Sequence, residues 1–280
     1  MWSNFHTHSH YCDGKGTMRD YLEAAKVAGV ATIGFSSHAP LPFACKWSMK
    51  DGAFSEYLRE IESARSSFPE LEVRAGLEVD FIPGIVSPLD FASRLDYTIG
   101  SIHFVGSFEG KHWEIDNTLE VFKEGLHNIF KDNVQSAVTR YYELTREMLS
   151  KTPPDILGHL DKIKINAQNT GLNESDPWYI LEVNKTLELI RQTNTIVEVN
   201  TRGIYKKKST ATYPSTWILE RICDLEIPIT LSSDAHHPGE LIREFDATLT
   251  LLKAIGFKNL SVPEKGTWKQ ITLNEYGPGQ

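Results

Sequence analysis

The chain has 280 residues, 40% of them hydrophobic and 24% charged, with a formal charge of −8. It is long enough to bury a sizeable core, and it lacks the basic excess that an extended phosphate backbone selects, which speaks against a nucleic-acid partner. No apolar run approaches bilayer length, Met1-Trp2-Ser3-Asn4 is neither basic nor followed by a hydrophobic segment, and no repeat or low-complexity tract stands out, so neither a membrane nor a secretory route is expected.

The opening stretch, NFHTHSHYCDG from Asn4 to Gly14, reads as extended chain, in which His6 and His8 project to the same side and can aim both imidazoles at one cation. His-X-His alone is a weak signal. Cys12, between the histidines and Asp13, is a possible ligand but fits better as a small thiol supporting the loop. Cys45 and Cys223 form no motif with it, and the odd count argues against a disulfide framework and for a reducing, cytoplasmic setting.

Gly14 and Gly16 mark a turn, after which Thr17 can cap a helix through Ala28 with Met18, Tyr21, Leu22 and Ala25 at helical spacing. A buried strand at 32–36 ends in Ser37-His38-Ala39-Pro40. A helix at 54–67 leads to a strand at 72–79 carrying Glu78 near its end, and a short helix precedes a strand at 97–102 that delivers His103. Residues 104–132, rich in aromatics and acids (Phe108, Trp113, Glu114, Asp116, Phe122), are too long for a simple βα loop and read as an insertion near the site. A helix at 134–150 stops before Pro153-Pro154, and a strand at 156–158 delivers His159, followed by Asp161, Lys162 and Lys164. The rhythm continues with a helix at 178–193, a strand at 196–199, a helix at 215–224 and a strand at 228–231 that ends in Ser232-Ser233-Asp234-Ala235-His236-His237. Residues 240–255 are mostly helical, with short extended pieces at Leu260 and Ile271.

Seven strands alternating with helices indicate a parallel sheet of right-handed βα units. The unusual residues decide between a barrel and an open sheet. His6, His8, His38, Glu78, His103, His159, Asp234 and His236 fall at or just past C-terminal strand ends, where barrels assemble their sites. An open doubly wound sheet gathers its chemistry at one switch point, and no Gly-rich phosphate fingerprint follows the first strand. A single-domain barrel spanning 1–280 is therefore expected. With Asp13 included, six histidines, two aspartates and one glutamate make nine candidate ligands, enough for more than one cation.

The set His6-Thr7-His8 with Asp13, Ser37-His38-Ala39, Gly76-Leu77-Glu78, Ser101-Ile102-His103, Gly158-His159-Leu160-Asp161 and Ser233-Asp234-Ala235-His236 resembles the polymerase and histidinol phosphatase (PHP) family. HSHYCDG, SSHAP and NTRGIYKK favour its histidinol-phosphatase branch. The resemblance implies a distorted seven-stranded TIM-like barrel holding three divalent metal ions, zinc, iron or manganese, and hydrolysing L-histidinol phosphate to L-histidinol and inorganic phosphate with a metal-bridging hydroxide. It implies that His6, His8, Glu78 and Asp234 hold one metal, that Glu78 shares a second with His103 and His159, and that Asp13, His38 and His236 hold the third. Arg202, with Lys162 or Lys164, would contact phosphate. Asp234 or His236 would pass a proton to the leaving group. Three divalent cations offset by three carboxylates leave about +3 in the site, so an acidic protein can still attract a dianion locally.

Two other readings remain at this level. One is a related barrel metallohydrolase acting on a different phosphate ester or an amide, against which the position of Glu78 and the lack of a lysine on the strand that delivers His103 weigh. The other is a non-catalytic metal-binding module, which should show gaps where every ligand position here is filled.

Overall fold

The structure, a computed structural model, describes residues 1–264 and 267–277. Its eleven described strands run β1 (Trp2–Asn4), β2 (Val30–Phe35), β3 (Glu72–Asp80), β4 (Tyr97–Ser101), β5 (Phe104–Phe108), β6 (Lys111–Glu114), β7 (Ile156–Leu157), β8 (Ile196–Asn200), β9 (Ile229–Ser232), β10 (Asn259–Glu264) and β11 (Thr267–Thr272). Seven form one parallel sheet in the order β1-β2-β3-β4-β7-β8-β9, which is chain order, as consecutive right-handed βα units require. β4, β7, β8 and β9 are buried at every position, as strands covered on both faces must be.

The ring closes through the chain just past β1. Thr7 bridges Ala235 in parallel, the His8 amide donates to the Ala235 carbonyl (2.8 Å), and the Ala235 amide donates to the His6 carbonyl (3.0 Å). The residues that complete the barrel are thus the neighbours of the His-X-His pair.

The interior is filled by aromatic side chains. Tyr97 crosses it and donates from Oη to the Phe5 carbonyl (2.5 Å). Gly34 on β2 and Gly76 on β3 lie against its ring, and a Cβ at either position would overlap it. Trp268 on β11 fills the opposite end, edge-on to Phe5 (5.8 Å) and Tyr97 (6.4 Å). The extended pieces expected at Leu260 and Ile271 are therefore the two arms of one antiparallel hairpin.

The expected helices form, with ends shifted by a residue or two except at one point. The last helix runs Phe245–Ile255, because Pro238–Glu240 takes a 3-10 turn and Glu244 adopts a left-handed φ of 63° that breaks the path. The insertion is ordered. β5 and β6 pair around Glu109-Gly110, both at positive φ, and a helix Leu119–Phe130, capped by Thr118, packs back on them. Trp113 is buried against Phe122 and Phe130, and its ring occupies the space that a side chain at Gly125 would take. Asn166 donates to the Ile115 and Asn117 carbonyls (both 2.9 Å), fastening the insertion to the barrel mouth.

Candidate metal centre

All nine sequence-predicted ligands meet at the C-terminal mouth of the barrel, in overlapping groups whose donor atoms lie close enough to share an ion. The groups are His6, His8 and Asp234; Glu78, His103 and His159; and His8, Asp13, His38 and His236. Glu78 stands between them. Its Oε2 lies 3.1 Å from His6 Nε2, 3.5 Å from His8 Nε2 and 3.0 Å from His38 Nδ1. Its Oε1 lies 2.8 Å from His159 Nε2 and 3.7 Å from His103 Nε2, and accepts from Ser101 Oγ at 2.7 Å. One carboxylate oxygen therefore faces each side of the site. Asp234 Oδ1 is 3.2 Å from His8 Nε2, and Asp13 Oδ1 is 3.2 Å from His236 Nε2.

A layer of acceptors fixes which imidazole nitrogen faces inward. Glu198 Oε1 accepts from His6 Nδ1 (2.6 Å), Asp80 Oδ1 from His103 Nδ1 (3.0 Å), and the Asp234 carbonyl from His236 Nδ1 (3.1 Å), leaving Nε2 as the lone-pair nitrogen in each ring. Cys12 Sγ does the same for His8 Nδ1 at 3.5 Å, and burial pushes its thiol up to about 12, so it supports the loop as a neutral group. Asp80, His38 and His103 form a further group able to hold an ion, but Asp80 Oδ1 already accepts from both the amide and the ring of His103.

Asp234 adopts a left-handed φ of 52°. That turn aims its carboxylate at His8 while its carbonyl accepts from Arg202 Nη1 (2.7 Å) and Tyr205 Oη (3.2 Å), and strain of this kind persists only where surrounding contacts hold it.

The fit to cations is visible in the polar atoms. His6 Nε2, His8 Nε2, His38 Nδ1 and Asp13 Oδ1 are buried with no aligned hydrogen-bond partner. Buried lone pairs converging without a donor are costly unless a positive charge sits among them, and imidazoles mixed with carboxylates are a donor set of zinc, iron and manganese. Electrostatics agree. Burial raises the Glu78 and Asp234 carboxyls, yet neighbouring histidines, with Arg202 at Asp234, hold both well below their ordinary range. Burial lowers His103, but Asp80 and Glu78 carry it up to about 9. His8 is brought down to about 4 by burial and by His236.

Beside the ligands lies a pocket walled by Asp13, His236, Arg202, Lys162, Trp47 and Glu114, among others. Of the expected phosphate contacts, Arg202 and Lys162 are there. Lys162 Nζ sits 3.1 Å from Asp116 Oδ2 and 3.4 Å from His103 Nε2. Lys164 is elsewhere. Its ammonium is buried, donating to Asp161 Oδ2 (2.8 Å), the Thr212 carbonyl (3.0 Å) and Ser215 Oγ (2.5 Å), so all three protons are engaged by the protein. Lys208 also lines the pocket and was not singled out in the sequence. Glu198, Asp80 and Trp47 went unnoticed too. A signal existed for two of them: Glu198 is an acid flanked by Val197 and Val199 in an otherwise apolar run, 196–199, and Asp80 shares a strand face with Glu78. Trp47 has no such signal.

A parallel βα barrel with histidines and carboxylates gathered at its C-terminal mouth defines a class of barrel metalloproteins. The chain belongs to the PHP domain family, whose sequence profile matches residues 4–202. A Deinococcus radiodurans protein named a probable histidinol-phosphatase is 30% identical over 266 residues, covering 91% of this chain and 94% of the relative. The histidinol-phosphatase of Bacillus subtilis is 26% identical over 263 residues, covering 87% and 97%. The solved structure of histidinol phosphate phosphatase from Lactococcus lactis, in complex with zinc, L-histidinol and phosphate, matches with a TM-score of 0.71 at 19% identity, covering 96% of this chain and 98% of that one. No helix among the described residues is long and apolar enough to cross a membrane.

Proposed function

We propose that this chain is a metal-dependent histidinol-phosphatase, hydrolysing L-histidinol phosphate to L-histidinol and inorganic phosphate. The observation that carries the reading is Glu78, whose two oxygens face two clusters of imidazoles beside a pocket lined by Arg202, Lys162 and Lys208. The names of the relatives supply the substrate.

In this reading His6, His8, Glu78 and Asp234 would hold one divalent cation, Glu78, His103 and His159 a second, and Asp13, His38 and His236 a third. Cations held there would supply Lewis acidity, lowering the pKa of water and offsetting charge on the phosphoryl oxygens. The chain's own residues do the rest. Arg202 Nη1 is fixed on the Asp234 carbonyl, so the guanidinium is held at the pocket wall for an anion. Burial lowers the Lys162 pKa, but Asp116, Asp234 and Glu78 raise it above the ordinary lysine range, so Nζ stays an ammonium. Asp234 and His236 are the wall groups able to pass a proton to the leaving oxygen. Segment 104–132 covers the mouth as part of a single unit. A cytoplasmic setting fits three free cysteines.

The test is a panel of phosphomonoesters, phosphotriesters and amides assayed with the metal-loaded protein. L-histidinol phosphate should be the preferred substrate, and preferential amide or triester turnover would reject the reading.

A further inference from the structure

The three groups of candidate ligands are not held alike. In the two that share Glu78, no side chain is more than 3% exposed. In the third, Asp13 is 35% exposed, His236 12% and His38 9%. His236 also stands one residue past Ala235, the last point at which its loop is bridged to the ring, so its position depends on local anchors. Its carbonyl accepts from the Lys15 amide (2.7 Å), its ring Nδ1 meets the Asp234 carbonyl (3.1 Å), and its amide donates to Glu240 Oε2 (3.0 Å). Glu240 is the one side chain among these anchoring partners. It closes the 3-10 turn Pro238–Glu240, and its Oε1 accepts from Lys206 Nζ. Lys206 directly follows the short helix Arg202–Tyr205, whose two end residues hold the Asp234 carbonyl. Both oxygens of Glu240 are thus engaged, and it belongs to none of the ligand groups among the described residues.

A carboxylate 4.0 Å from Arg202 Nη1 weakens the local attraction for an anion, so phosphate binding does not account for Glu240. Its contacts do. A charge-assisted bond to the His236 amide fixes the backbone from which that imidazole projects, and the ion pair with Lys206 fixes the carboxylate in turn. We propose that Glu240 is a positioning residue for the most exposed cation of the centre, holding His236 against Asp13 and tying that ligand to the helix that carries Arg202. The proposal rests on the three-cation reading and names the residue that sets the affinity of one site alone. His6, His8, His103 and His159 have no contact with Glu240, so the two buried sites are independent of it. The cation at Asp13, His38 and His236 is accordingly the one that exchanges with solvent.

The test is dialysis of the manganese-loaded protein against solutions of graded, chelator-buffered free manganese, followed by a count of metal retained per chain by mass spectrometry. The parent should keep three equivalents and lose one of them well before the other two. Glu240→Ala should need about tenfold to a hundredfold more free manganese to keep that third equivalent, the usual effect of removing a group that orients a ligand, while the other two are retained as in the parent. Asp13→Asn, which strikes the same site directly, should show the same plateau at two equivalents. Glu240→Gln, which can still accept from the His236 amide, should fall between Glu240→Ala and the parent, and it carries the comparison if the alanine variant does not fold. A third equivalent held by Glu240→Ala as tightly as by the parent, or a weakening shared equally by all three cations, overturns the assignment of Glu240. A parent that never holds more than two equivalents overturns the three-cation reading and this proposal with it. No substrate enters the dialysis, so its outcome is separate from that of the ester panel.

Discussion

Replacing Glu78 by glutamine keeps the number of heavy atoms and nearly the volume, yet it removes the charge that would join the halves of the proposed metal centre. Glu78 is buried, and in the parent each oxygen faces ring nitrogens at 2.8–3.7 Å, His6, His8 and His38 on one side and His103 and His159 on the other. An amide can offer an oxygen to only one of these sides. The other receives an N–H donor, and the excess charge with three cations rises from about +3 to about +4. A charge-assisted contact contributes about 1.5–3 kcal/mol, so weakening both sides costs about 3–6 kcal/mol, or on the order of a hundredfold to ten-thousandfold in cation affinity. Turnover should fall by several orders of magnitude while the fold persists. The assay is metal content per chain by mass spectrometry after gel filtration, beside kcat with L-histidinol phosphate and far-ultraviolet circular dichroism. Full metal stoichiometry with near-parental turnover would refute the bridging role.

Other perturbations separate binding from structure. Arg202→Ala should raise KM and weaken phosphate inhibition by about tenfold to a hundredfold, with Arg202→Lys rescuing only in part because lysine lacks the planar fork. Metal content should hold, since Tyr205 also bonds the Asp234 carbonyl, and unchanged phosphate inhibition would remove Arg202 from the site. Lys164→Met should leave the Asp161 carboxylate buried beside an apolar side chain and lower stability to urea by about 3–5 kcal/mol, with kcat/KM of the folded fraction little changed. A large KM effect at parental stability would instead make Lys164 a substrate contact. In the metal-free protein burial lowers the pKa of His6 and His103, but nearby carboxylates raise both above the imidazole value, His103 to about 9. The stabilising effect of His103 is complete below about pH 6.5 and is lost as pH rises through about 9, and that of His6 is lost with rising pH in the same sense. A cation must displace those protons, so metal affinity should climb between pH 6 and pH 9 and binding should release protons, measurable by calorimetry in buffers of different ionisation enthalpy. Affinity flat across that range would contradict the inward-facing assignment of these rings.

The barrel and the residues gathered at its mouth were legible because both are written locally. Parallel strands buried on both faces are short apolar runs, and whatever follows such a run sits at the mouth, so His38, His103, His159 and Asp234 could be placed without tertiary information. What the sequence left open depends on contacts between distant segments. Lys162 and Lys164 are two residues apart in one polar turn, and only the path of 212–215 decides that Lys164 is buried with Asp161 while Lys162 meets Asp116. Trp47 lies in an irregular loop without periodicity, so its place between His38, His103 and Phe104 follows from packing alone. The last helix starts late for a local reason that propensity hides, the left-handed turn at Glu244.

In the proposed reading this chain acts on a phosphate ester through cations held by nine side chains. The most direct measurement is titration of metal-free, folded protein with manganese or zinc while following release of phosphate from L-histidinol phosphate. Activity should be absent before addition, rise with added metal and level off near three equivalents per chain. Phosphate release that survives exhaustive metal removal, or a plateau at one equivalent, would contradict it.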